Sequence, residues 1–140
     1  MELMNKIQDL KKQYNKDPQS FENAKDLANS YYDLGRYDLA IDYYKKAVKL
    51  NNKQPEVLID LGVSYFNTGN ADSAVYYIKE ALIIQPDQVQ GLFNLGIIYY
   101  NIKQLEQAKA SWESLLLSHP ESREAQLAKG YLQTLKSQIQ

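Results

Sequence analysis

The sequence predicts an all-α fold, three antiparallel helix pairs in a row with one further helix at each end. Three observations predict it. The chain repeats itself every 34 residues, as "DLANSYYDLGRYDLAIDYYKKAVKLNN" from Asp26, "DLGVSYFNTGNADSAVYYIKEALIIQP" from Asp60 and "NLGIIYYNIKQLEQAKASWESLLLSHP" from Asn94. Within each repeat, small and large residues recur at helical spacing. Glycine and proline then punctuate the pattern where one helix must stop and another begin.

The first element is a helix over residues 1–17. Leu3, Ile7, Leu10 and Tyr14 form an apolar stripe on it, and Asp17-Pro18 ends it. Three helix pairs follow, at 21–54, 55–88 and 89–122. Each places a leucine before a small residue (Leu27-Ala28, Leu61-Gly62, Leu95-Gly96) and a tyrosine three residues on (Tyr31, Tyr65, Tyr99). Its second helix carries a matching set: Ala40, Ala74 and Ala108, then Tyr44, Ile78 and Trp112, then Ala47, Ala81 and Leu115. Small residues belong where two helix axes come close, because a larger side chain would hold them apart. Gly35 and Gly69 stop the first helix of their pairs; Lys103 stands in that place in the third, so its turn is expected to be strained or loose. The proline column reads Pro18, Asn52, Pro86 and Pro120. Pro55 suits the first turn of a helix, and Asn70 and Asp87 are candidate N-caps. The last element, over 123–140, carries Ala125, Ala128, Leu132, Leu135 and Ile139 on one stripe, which suits a helix capping the third pair.

Composition narrows the function. A chain of 140 residues with 44% hydrophobic and 24% charged content is sized for a single globular domain, 1–140. Its net charge of −1 gives the whole molecule no pull toward nucleic acid. Tyrosine pairs such as Tyr31-Tyr32 and Tyr99-Tyr100 lack the basic groove that base stacking requires. The absence of cysteine removes disulfides, thiolate metal sites and a cysteine nucleophile. His119 is the one histidine, and it has neither a nucleophile nor an orienting partner in the pattern. No catalytic residue, metal ligand or cofactor is expected. The charged first thirty residues hold no signal peptide or membrane-inserting segment. The compartment is left undetermined, with the cytoplasm slightly favoured and a bacterial envelope setting open if an anchor or signal lies outside this sequence.

These columns resemble the tetratricopeptide repeat (TPR), over residues 21–122. The resemblance implies a right-handed superhelix whose first helices line a concave groove that binds a protein or peptide. Carried over position by position, the groove candidates are Glu22, Lys25, Asp26, Asn29 and Tyr32 in the first repeat. In the second they are Glu56, Ile59, Asp60, Val63, Phe66 and Asn67, and in the third Gln90, Phe93, Asn94, Ile97 and Tyr100. The clamp with which some such domains grip acidic EEVD tails is incomplete. Lys25 and Asn29 match it, whereas Asp60, Gln90 and Asn94 do not. The groove is instead acidic over the first two repeats and uncharged over the third, while Lys45, Lys46 and Lys49 lie on a second helix. A partner carrying basic and apolar residues is therefore expected. The alternative is a structural unit that forms homo-oligomers through its terminal helices or array ends.

Overall fold

The computed structural model describes residues 1–139, in which eight helices and no strands occur. They are α1 (Glu2–Lys16), α2 (Phe21–Asp33), α3 (Tyr37–Leu50), α4 (Pro55–Asn67), α5 (Ala71–Ile84), α6 (Val89–Asn101), α7 (Leu105–Ser118) and α8 (Arg123–Gln138). Residue 140, the last of the expected terminal helix, lies outside the described residues. Helices α2/α3, α4/α5 and α6/α7 form hairpins, and α3/α4 and α5/α6 pack each hairpin on the next. Helix α1 packs on α2, and α8 packs on both α7 and α6. The architecture is an all-α helical repeat solenoid. No helix among the described residues is long and apolar enough to cross a membrane.

The small columns set the helix spacing. Ala24, Leu27, Ala28, Ala40, Ala47 and Leu61 are fully enclosed in one cluster with Tyr44; Gly62 and Ala74 lie against Ile78, and Ala81 packs with Leu58 and Ile59. In the third hairpin Trp112 fills the space above Gly96 and is 2% exposed. Its indole N–H donates to the Phe93 carbonyl at 3.2 Å, so the one polar atom of the ring is satisfied inside the core. The terminal stripes are buried too, Ile7 and Leu10 on α1 and Ala125, Ala128, Leu132 and Leu135 on α8.

Caps and turns fix the hairpin ends. Ser20, Asn70, Gln88 and Ser122 accept hydrogen bonds from backbone N–H groups three residues on, and Pro55 opens α4. The cap of α6 is thus Gln88 rather than Asp87, because the helix starts one residue later than the expected cap requires. Gly35 and Gly69 have φ of 80° and 88°, and Lys103 copies them at 66°. All three turns close with the same pair of hydrogen bonds. In the third, Lys103 N–H donates to Tyr100 O at 3.1 Å and Gln104 N–H to Tyr99 O at 2.9 Å.

The third turn is therefore strained and not loose, since a left-handed residue with a Cβ costs about 1–2 kcal/mol. Lys103→Gly should recover most of that strain, less the flexibility glycine adds to the unfolded chain. The expected result is a gain of about 0.5–1 kcal/mol, or a rise in Tm of roughly 2–4 °C. Calorimetry of the variant beside Lys103→Ala, which keeps the strain, checks it.

Candidate functional site

Helix α4 lies against α6 and α6 against α8, so the first helices of successive hairpins form one wall that α8 extends. The period explains the extension. Gly130 falls 34 residues after Gly96, Tyr131 after Ile97 and Thr134 after Tyr100. Helix α8 therefore stands where the first helix of a fourth hairpin would stand. The positions that would face a second helix are Gln126, Lys129, Gly130 and Gln133, all exposed, and among the described residues nothing outside the local helix backbone lies within 4 Å of a Cβ built on Gly130.

At the α2/α4 end the acidic side chains converge. Asp60 is largely enclosed beside Tyr32 and Tyr44, with Asp33 and Glu56 near it. Burial, then the charges of Asp33 and Glu56, pushes its carboxyl from the ordinary 3.8 up to about 6. Tyr32 is pushed up to about 12 by burial and by Asp60, and Tyr44 is raised by the same two causes. Among the described residues no lysine, arginine or histidine nitrogen comes within 4.0 Å of Asp60. Lys25, the one base on α2, is taken by Glu22 at 2.8 Å, and that bond raises its ammonium pKa. Asn29 accepts a hydrogen bond from the Tyr44 hydroxyl, so its amide oxygen braces α3.

At the α6/α8 end the wall is aromatic. A cavity of about 260 Å³ is lined by Ile97, Tyr100 and Asn101 of α6, Trp112 of α7, and Tyr131 and Thr134 of α8. Tyr131 lies 5.3 Å from the Trp112 ring and stacks on Phe93 at 6.2 Å. Gln138 donates to the Tyr100 hydroxyl at 3.1 Å, which ties the end of α8 to α6.

Not every sequence candidate lines this wall. Ile59 is 3% exposed and belongs to the core with Leu58 and Ala81. Helix α6 passes close by at Gly91, where a Cβ would stand 3.0 Å from Leu82 Cδ2 and 3.4 Å from Ile59 Cδ1. Asp26, Val63, Phe66, Phe93, Asn94, Ile97 and Tyr100 are partly exposed, and Glu22, Glu56, Asn67 and Gln90 are exposed. Asn67 donates to the Val63 carbonyl of its own helix at 2.9 Å. Gln90 donates to Glu124, another link between α6 and α8. Tyr131 and Thr134 were not among the candidates; continuing the 34-residue count past residue 122 finds them. His119 caps α7 with Asp87 at 3.2 Å and Glu121 at 3.7 Å, a contact that sequence separation conceals.

Comparison with known proteins agrees with this geometry. The family model described as TPR repeat matches residues 28–69. Models described as tetratricopeptide repeat match residues 55–88 and 90–122. No curated protein matches significantly. Among solved structures, the first TPR of Spaghetti (RPAP3) bound to the HSP90 peptide SRMEEVD is 24% identical, with a TM-score of 0.79 over 88% of this chain and 95% of that one. The protein MamA is 22% identical, with a TM-score of 0.84 over 97% and 78%. The Yersinia enterocolitica type III secretion chaperone SycD, in complex with a peptide of the translocator YopD, is 15% identical with a TM-score of 0.80 over 85% and 94%. At these identities the likeness is one of fold. Helix pairs, repeat columns and family models coincide over the same residues, and the chain belongs to the tetratricopeptide repeat family.

Proposed function

We propose that the chain is a non-catalytic protein-interaction module that holds an extended segment of a partner along α2, α4, α6 and α8. The segment presents Lys or Arg to the acidic end and apolar side chains to the aromatic end. One observation carries this reading. Asp60 is a partly buried carboxylate with two like charges near it and, among the described residues, no base within 4.0 Å, an arrangement that destabilises the folded chain. Groups held at such a cost are characteristic of functional sites, and a cation from a partner would relieve it. Tetratricopeptide neighbours captured with peptides, the RPAP3 and SycD domains, make a peptide-type ligand the natural class.

The test starts from a partner isolated by affinity capture and measured by calorimetry at several salt concentrations. Reversing charge with Glu56→Lys and Asp60→Lys together should weaken binding about ten-fold near 0.02 M salt and clearly less at 0.5 M, where charges are screened. Phe66→Ala should weaken it at every salt concentration, by about five- to ten-fold, because burial of an aromatic ring is not screened. A partner indifferent to both changes would sink the reading. The exposed Ile83 and Leu117 near the ends of α5 and α7, 75% and 86% exposed, would then become the favoured contacts, and self-assembly the favoured function.

A further inference from the structure

The cavity between α6, α7 and α8 differs in kind from the rest of the wall. Its sides are the Ile97 side chain and the rings of Tyr100, Trp112 and Tyr131, and among the described residues the polar side chains lining it besides the tyrosines are Asn101 and Thr134. Among the described residues no charged side chain lines it. At about 260 Å³ it falls below the usual range for a whole small-molecule site. It is nevertheless ample for one aromatic or large aliphatic side chain, since a dry cavity of about 150 Å³ accommodates benzene.

The cavity is also preformed. Tyr131 is held between Phe93 and Trp112, and two hydrogen bonds, Gln90 to Glu124 and Gln138 to Tyr100, fasten α8 to α6 on either side of it. An occupant would therefore displace water from an apolar surface without having to order the walls. A charged side chain would lose its hydration there and find no counter-ion.

We infer that this cavity is an anchor subsite for a single uncharged, bulky side chain (Leu, Met, Phe or Trp) of the partner segment, in fixed register with the basic residue that answers Asp60. The inference rests on the groove reading above and adds the pocket, the side-chain class and the spacing. The register follows from charge and distance. The acidic end is on α2 and α4, and the cavity begins one helix further on and ends against α8. Packed helices lie about 8–10 Å apart, so the two sites are separated by roughly 12–15 Å. An extended chain advances about 3.3 Å per residue, which puts the base and the anchor about four to five residues apart.

The experiment is selection of binders to the full chain from a random twelve-residue peptide display library. The selected peptides are then measured against Thr134→Phe, Tyr131→Ser, Phe66→Ala and Asp60→Lys. Thr134 is exposed, so filling the cavity there should leave the fold intact, as an unchanged Tm would verify, whereas Tyr131→Ser removes a ring stacked on Phe93 and should lower Tm without unfolding the chain. Enriched peptides should pair Lys or Arg with a bulky apolar residue four to five positions away. Thr134→Phe should weaken them at least ten-fold, and alanine at the apolar peptide position should lose no further affinity in that variant. Peptides that respond to Phe66→Ala and Asp60→Lys but not to Thr134→Phe or Tyr131→Ser overturn the subsite and leave the groove reading standing. Peptides indifferent to all four variants, or a library with no binder, overturn both.

Discussion

Gly96→Leu should destabilise the chain by about 3 kcal/mol, at the upper end of what overpacking a core costs. A Cβ on Gly96 would stand 2.5 Å from Cδ1 and Cε2 of Trp112, well inside contact distance. The ring cannot swing aside, because it is enclosed and its N–H is committed to the Phe93 carbonyl. Even Gly96→Ala should cost about 1–2 kcal/mol on the same grounds. The same column behaves differently elsewhere. Ala28 already carries a Cβ opposite Tyr44, and Gly130 on α8 has nothing within 4 Å. Gly130→Ala should therefore gain about 0.5–1 kcal/mol, the ordinary benefit of alanine over glycine inside a helix. Urea denaturation of the three variants checks the set. A Gly96→Ala variant that unfolds with the parent would show that α6 and α7 are not held together as closely as Trp112 requires.

That contrast also marks how far the sequence can be read. The repeat columns prescribe close approach and burial, so Ala28, Gly62, Gly96 and Trp112 are legible from spacing alone. What spacing does not show is the outcome of contacts between unlike columns. Ile59 shares a column with Lys25 and Phe93, yet it is core, enclosed with Leu58 and Ala81. Asp87 reads as a cap until the start of α6 is known; Gln88 takes that role and Asp87 meets His119 instead. The apolar stripe of α8 reads as a cap, and it does pack on the third hairpin. Its other consequence, the placement of Tyr131 and Thr134 beside Tyr100, depends on α8 keeping the repeat register. For the acidic end, the sequence shows the sum of the charges. Only the fold shows that one of them, Asp60, is partly buried near Tyr32 and Tyr44 while Asp33 and Glu56 stay exposed.

Asp60→Asn is the substitution that turns this into a measurement, and at neutral pH it should stabilise the chain by about 1–2 kcal/mol. The carboxyl titrates near its ordinary 3.8 when unfolded and at about 6 when folded, so the folded chain holds the proton more tightly. Protonated Asp60 carries no penalty, and below about pH 4 it costs nothing. As pH rises from about 4 to about 6 the unfolded chain loses the proton first, and Asp60 draws stability away; above about 6 the penalty is complete and constant. The full shift corresponds to about 3 kcal/mol, and solvent access to the partly exposed carboxylate reduces the expected gain. Because other carboxylates titrate in the same range, the informative curve is the difference in unfolding free energy between Asp60→Asn and the parent. It should be near zero at pH 4, climb to a plateau by pH 7, and be mirrored by weaker binding of a basic partner segment. A flat difference curve would mean that Asp60 is solvated or paired in solution. A rise in stability with undiminished affinity would separate the two roles, leaving the carboxylate a burden on the fold that the binding surface does not use.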